Sequence, residues 1–302
     1  MLAFKLAILA AFALATVYVH FRGHARLGFW RQLSDHSTLM APINCLMYLF
    51  SKTPATPYLP LADFPELERL TAHWREIRVE AEALYASGDI KASARYDDAG
   101  FNSFFKTGWK RFYLKWYDTA HPSAAELCPF TTQLLKEFPT VKAAMFAALP
   151  PGARLVRHRD PYAGSVRYHL GLLTPGSDAC YISVDDERYS WRDGQAVMFD
   201  ETYLHYAENQ TQSNRIILFC DVERPLWFPP ARWLNRFLSR HLVGAAAAPN
   251  RDGDRTGGIN KAFATVQQFR LFGKRIKARN RTLYYALKWL LFGGIIAAWL
   301  YF

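Results

Sequence analysis

Six residues in the middle of this 302-residue sequence have side chains and spacings suited to metal-assisted oxidation: His158 and Asp160, then His205, with Arg167, His169 and Arg215 interleaved. Two neutral imidazoles and one carboxylate on one face of a ferrous ion leave its other positions open, as a centre that must take up a cosubstrate and oxygen requires. His158 and Asp160 are two apart, and on an extended strand that spacing puts both side chains on the same face. His205 would arrive from a later strand. The predicted metal ligands are therefore His158, Asp160 and His205, with Asp200 a second acid in reach of the same place. Arg215 opens the apolar run Ile216-Ile217-Leu218-Phe219, where a guanidinium is costly unless an anion meets it. A dicarboxylate such as 2-oxoglutarate would do so through paired, charge-assisted hydrogen bonds. Arg167 and His169 alternate on the same predicted strand, face one side and could join that pocket. Each residue also has a plainer reading: a satisfied core histidine, or an Arg215 that pairs with Asp200 or Glu208.

His-Arg-Asp also opens a protein-kinase catalytic loop, but that loop needs Asn five residues after the Asp. Ser165 stands there, and Asp-Phe-Gly and the glycine-rich loop are missing from the sequence, so the kinase reading fails.

Short β-type runs carry these residues: Val141–Leu149, Ala153–Arg157, Val166–Leu173, Cys180–Val184, Ala196–Phe199 and Ile216–Val222, with a further strand at 109–117. Pro150-Pro151-Gly152, Asp160-Pro161, Pro175-Gly176, Asp185-Asp186 and Asp193-Gly194 separate them. Many short strands with such punctuation predict an antiparallel sandwich or barrel, mainly β with flanking helices. Helical spacing predicts amphipathic helices over 65–86 and 124–138. Two stretches keep two readings each: the apolar 38–50 as core or as a membrane-facing surface, and the aromatic and arginine-rich 225–240 as interfacial or packed on the barrel. The four cysteines show no metal-ligand spacing and read as small core residues of a reducing compartment.

The formal charge of +11 would suggest nucleic acid if it were spread over the chain, but it is not. Residues 1–34 hold four Lys or Arg and no acid, residues 256–302 hold eight and no acid, and the intervening 221 residues carry a net −1. Both ends are also apolar: Leu2 to Val19 and Leu283 to Phe302 are each long enough to cross a bilayer as a helix. Their basic clusters face the body, which predicts a body in the cytoplasm and an affinity for anionic lipid head groups. A cleaved signal peptide is the alternative for the first segment, and an interfacial helix for the second.

The stretch Arg157-His158-Arg159-Asp160-Pro161, then Arg167-Tyr168-His169-Leu170-Gly171-Leu172, Trp191-Arg192-Asp193-Gly194, Phe199-Asp200-Glu201, His205 and Arg215 resembles the aspartyl/asparaginyl β-hydroxylase family. The resemblance implies a double-stranded β-helix (jelly-roll) core, iron(II), 2-oxoglutarate and O2. It carries iron ligation onto His158 and His205, and cosubstrate binding onto Arg167, His169 and Arg215. Animal members have glycine two residues after the first histidine, whereas this chain has Asp160. The segments Phe21-Arg22-Gly23, Asp35-His36-Ser37-Thr38, Met40-Ala41-Pro42-Ile43-Asn44 and Lys274-Arg275 further resemble bacterial members of this family that act on lipid A. That implies hydroxylation at C2 of a secondary acyl chain, at the cytoplasmic face of the bacterial inner membrane. The expected organisation is an N-terminal membrane anchor (1–20), a membrane-proximal helical segment (21–100), the hydroxylase domain (101–242), a flexible linker (243–260) and a basic juxtamembrane segment with a C-terminal membrane helix (261–302). The rival functions are hydroxylation of an ornithine-type lipid or of Asp or Asn in a protein, and a membrane-bound β-barrel that binds without turnover.

Overall fold

The structure is a computed structural model that describes residues 2–93 and 97–301; residues 1, 94–96 and 302, which fall in the expected anchor, helical and C-terminal segments, lie outside the described residues. Its centre is built from strands β1 (Tyr58–Leu59), β2 (Lys110–Trp116), β3 (Thr119–Ala120), β4 (Val141–Leu149), β5 (Arg154–His158), β6 (Ser165–Leu173), β7 (Cys180–Val184), β8 (Glu187–Ser190), β9 (Ala196–Phe199), β10 (His205–Asn209) and β11 (Arg215–Glu223). They form two antiparallel sheets, β1-β9-β6-β11-β4-β2-β3 and β5-β10-β7-β8. Among the last eight strands β4 pairs β11, β5 pairs β10, β6 pairs β9 and β7 pairs β8. That nested pairing is the winding of a double-stranded β-helix.

The larger sheet is buried on both faces, which is why its strands read as nearly unbroken apolar runs. On β11, Ile216, Leu218, Cys220 and Val222 face the helices outside, whereas Ile217 and Phe219 face the space between the sheets. On β6, Val166, Tyr168, Leu170 and Leu172 face the same outer layer. The period of two then sends Arg167, His169, Arg215 and Asp221 inward, between the sheets, all buried.

The outer layer is led by helix Trp74–Ala86, whose Ile77, Ala81 and Leu84 recur at helical spacing and are buried. The helix expected over 65–86 is broken: 3-10 turn Pro65–Leu67 leads to Glu68–Ala72, and the chain restarts after His73. The expected helix over 124–138 is likewise two pieces, Pro122–Leu127 and Pro129–Leu135, because Pro129 has no amide to continue the first.

Asp185 and Asp186 both take positive φ, 52° and 69°, and join β7 to β8 as a two-residue hairpin turn. The Asp185 carboxylate accepts the backbone amides of His24 at 3.0 Å and Ala25 at 2.8 Å, so the chain leaving the first helix is fastened to the small sheet. Residues 243–260, expected to be a flexible linker, pack on the body. Ala247 and Ala248 are buried, and the Asn250 side chain donates to Tyr113 O and accepts from Tyr113 N. Helices Leu2–Phe21 and Arg281–Tyr301, 20 and 21 residues, are long and apolar enough to cross a membrane and are mostly exposed. Lys5 Nζ donates to Trp299 O at 2.8 Å, so the two helices meet.

Candidate metal centre

His158 closes β5 and His205 opens β10, and the two are direct partners in the antiparallel register. Their rings stand 4.2 Å apart, centroid to centroid. Asp160 lies two residues past the end of β5, so an extended strand is not what aims it. Its amide donates to Glu201 O at 3.0 Å, which turns its carboxylate back toward the two rings. Asp160 Oδ1 is 3.4 Å from His158 Nε2 and 4.0 Å from His205 Nε2. One donor atom from each of the three residues falls within 4.8 Å of the other two, and no other such cluster of three occurs among the described residues.

The protonation pattern suits a cation. His158 Nδ1 lies 2.7 Å from Val156 O and His205 Nδ1 2.9 Å from Tyr203 O. A carbonyl only accepts, so each Nδ1 carries the hydrogen and each Nε2 presents its lone pair to the centre. Burial, then the neighbouring His158, pushes His205 down to about 3, which keeps it neutral at physiological pH. Burial would raise the Asp160 carboxyl, but the Arg167 guanidinium outweighs it and holds the group well below the usual range. Two neutral imidazoles and one ionised carboxylate are the donor set of an iron(II) site.

Arg167 is placed behind Asp160. Its guanidinium reaches Asp160 Oδ2 at 2.7 Å and Asp221 Oδ1 at 2.9 Å, the latter as an ion pair without hydrogen-bond alignment, and it lies over the Phe219 ring. It borders the same pocket as the three ligands while its charge is already engaged. Glu201 shares this buried corner, where burial and the neighbouring acids raise its carboxyl, and it accepts from Ser165 Oγ at 2.8 Å.

Arg215 is arranged differently. It is fully buried, donates to Ala147 O at 3.2 Å and lies over the Trp191 ring at 4.4 Å. Its Nε has no partner among the described residues, and no carboxylate pairs with it there. Burial lowers its guanidinium to about 10, offset only in part by the Cys180 thiol. Asp200 and Glu208, the salt-bridge partners considered for it, are elsewhere: Asp200 binds Arg22 and Arg224, and Glu208 binds Tyr181 and Gln210. Beside Arg215, His169 has both ring nitrogens unpartnered and Trp191 has its indole N–H unpartnered. Burial and the charges of Arg167 and Arg215 keep His169 neutral. These groups line one pocket with His158, Asp160 and His205, under aromatic walls that include Phe104, Trp109 and Phe219. Buried polar groups are rarely left unpaired, so this cluster of idle donors marks where an anion belongs. A ferrous ion at the first end and a dicarboxylate spanning to the second fit the residues present.

The sequence pattern left several contributors without a role. Trp191 reaches the pocket because Gly171 lets the chain come close: a Cβ there would stand 2.1 Å from Arg192 O. Asp221 was legible from parity, being an inward position of the strand that carries Arg215. Arg159, between the two ligands, points away from them, and donates to Val19 O at 2.8 Å and to Gln32 Oε1 at 3.1 Å. It ties the end of helix Leu2–Phe21 to the ligand loop, a long-range contact that no local pattern announces.

A sequence profile described as aspartyl/asparaginyl beta-hydroxylase matches residues 71–225. An ornithine lipid ester-linked acyl 2-hydroxylase from Rhizobium tropici is 31% identical over 200 residues, 66% of this chain and 71% of that one. The human aspartate beta-hydroxylase domain-containing protein 2 is 28% identical over 209 residues, which cover 66% of this chain and 54% of the relative. Human aspartyl/asparaginyl beta-hydroxylase is 27% identical over 171 residues, and there the match covers only 22% of the relative. Among solved structures, a Pseudomonas putida prolyl-4-hydroxylase aligns with half of this chain and 86% of its own, at 19% identity and a TM-score of 0.34.

Proposed function

The chain belongs to the aspartyl/asparaginyl β-hydroxylase family, and from that premise we propose that it hydroxylates an acyl chain of a membrane lipid, with iron(II) held by His158, Asp160 and His205 and 2-oxoglutarate held at Arg215. The observation that carries this reading is the pairing inside one pocket of a two-histidine, one-carboxylate cluster with a buried guanidinium that has no anion of its own. When bound, the iron and 2-oxoglutarate supply the oxidation: O2 gives one oxygen atom to the substrate C–H bond and the other to 2-oxoglutarate, which leaves as succinate and carbon dioxide.

The protein's residues bind, orient and shield. Arg215, with the Trp191 N–H and His169 beside it, receives the far carboxylate of the cosubstrate and so fixes which end faces the metal ligands. The backbone carbonyls of Val156 and Tyr203 hold the two imidazoles in the tautomer that offers Nε2. Arg167 keeps Asp160 ionised and pinned from behind. Phe104, Trp109 and Phe219 keep water from the reacting C–H bond.

The substrate proposed is lipid A, at C2 of a secondary acyl chain, on the cytoplasmic side of a bacterial inner membrane. Support comes from the two apolar terminal helices, their basic flanks toward a neutral body, and the lipid acyl chain named for the Rhizobium tropici relative. That relative also favours an ornithine lipid as the second reading. Mass spectrometry of lipid A and ornithine lipid fractions, with and without the gene, separates them. One added oxygen on a lipid A acyl chain is expected; the same gain confined to ornithine lipid moves the assignment to the second reading, and no gain in either fraction rejects both.

A further inference from the structure

Helix Leu2–Phe21 does not enter the body as an isolated rod. Helix Ala41–Leu49 lies across its last turns, with Ala41, Cys45 and Tyr48 packed on Ala15 and Val19. Ala15 is six residues, about 9 Å, before the end of the first helix. Crossing a hydrocarbon core of about 30 Å takes roughly 20 residues, the whole of that helix. Helix Ala41–Leu49 therefore sits level with the edge of the bilayer, and it turns Leu46 and Leu49 outward, with Leu39 just before them 73% exposed. Helix Pro229–Leu238 packs on it through Met47 and Ala231 and turns out Trp233 and Phe237, stacked 5.5 Å apart, on a face shared with exposed Arg232, Arg236 and Arg240. Helix Phe29–Leu33 adds Trp30, also 73% exposed, next to the end of the first helix through the His20–Phe29 ring contact. All six apolar side chains are exposed.

We infer that Trp30, Leu39, Leu46, Leu49, Trp233 and Phe237 form a collar that seats in the interfacial layer of a phospholipid bilayer around the first helix, which sets the metal-ligand loop at the membrane surface. The occupant is the bilayer itself because the collar is continuous with a helix that already crosses it. Its mixture of tryptophan, leucine and arginine is also that of an interfacial surface facing anionic head groups. The collar is bonded to the strand end that carries the first metal ligand. Arg31 donates to Arg157 O at 3.2 Å and His36 Nε2 donates to Arg159 O at 2.8 Å, the carbonyls on either side of His158. These bonds hold the collar beside the loop that carries His158 and Asp160. The inference rests on the membrane-lipid reading and adds to it the surface by which the body docks on the bilayer.

The test uses the full chain in nanodiscs of phosphatidylethanolamine and phosphatidylglycerol brominated on the acyl chains, which quench nearby tryptophan. Five exposed or membrane-helix tryptophans are candidates for quenching: Trp30, Trp227, Trp233, Trp289 and Trp299. Trp30→Phe and Trp233→Phe, conservative changes at exposed positions, should each remove roughly a fifth of the quenched emission if each candidate contributes equally. If quenching is strong but unchanged in both variants, the anchors are in the bilayer and the collar is not, which overturns the inference while leaving the proposed function intact. Absence of any quenching overturns both the inference and the membrane reading beneath it.

Discussion

Replacing Arg215 with methionine separates a residue kept for a ligand from one kept for the fold. In the folded chain the guanidinium falls well below its ordinary value, to about 10, so at every pH below 10 the charged form that the unfolded chain carries freely is disfavoured by burial. The difference corresponds to about 3 kcal/mol of destabilisation at neutral pH. Methionine is of similar length, carries no charge and fills the space. It forfeits the bond to Ala147 O and the stacking on Trp191, about 1 kcal/mol each. The net expectation for Arg215→Met is a gain of about 1 kcal/mol, a rise of a few degrees in Tm. Addition of 2-oxoglutarate at 100 times its Kd should add about 2.7 kcal/mol to the wild type and nothing to the variant. Thermal unfolding of both proteins in detergent, with Mn(II) in place of iron and with or without 2-oxoglutarate, reads both effects. A variant that is destabilised by several kcal/mol and still responds to 2-oxoglutarate would refute the reasoning.

Three further outcomes follow from the same geometry. Gly171→Ala sets a methyl against Arg192 O and must push Trp191 out of the pocket, so the concentration of 2-oxoglutarate needed for half-maximal succinate release should rise at least several-fold while metal binding is kept; an unchanged requirement removes Trp191 from the cosubstrate site. Asp200 is buried between Arg22 and Arg224, which outweigh the upward pull of burial and hold its carboxyl below the usual range. Its contribution is therefore complete above about pH 4, the unfolded value, and is lost as pH falls through the folded one. Asp200→Asn should cost about 3–5 kcal/mol at neutral pH and flatten the acid limb of stability against pH, and equal acid limbs in the two proteins would contradict the assignment. Arg159→Met should loosen the loop between His158 and Asp160 and weaken Co(II) binding, with Arg159→Lys recovering part of it; Co(II) affinity equal to wild type would show that the tie to the first helix does not position the ligands.

Much of the core was legible because burial on both faces leaves a strong mark in sequence. Val141–Leu149 and Cys180–Val184 agree with β4 and β7 end for end, and inward parity on β6 and β11 exposed Arg167, His169 and Arg215 as polar intrusions in apolar runs. The strand expected to bring in His205 could be given no bounds: His-Tyr-Ala-Glu-Asn of β10 is half polar, and its limits come from pairing with β5 and β7 on either side. The reason expected for Asp160 also differs from the one found, since β5 stops at His158 and a backbone bond to Glu201 aims the carboxylate. Residues 243–260 read as a linker from their Ala, Gly and Asp content, yet the buried Asn250 side chain is bonded to Tyr113 on β2, a tertiary contact with no local signature.

The most direct test of the central assignment is anaerobic equilibrium dialysis of the full chain against ferrous ion, with wild type and His205→Ala side by side. One tightly held iron per wild-type chain, and loss of that iron in the variant while its circular dichroism is unchanged, is the expected result. Equal iron in both proteins would contradict it.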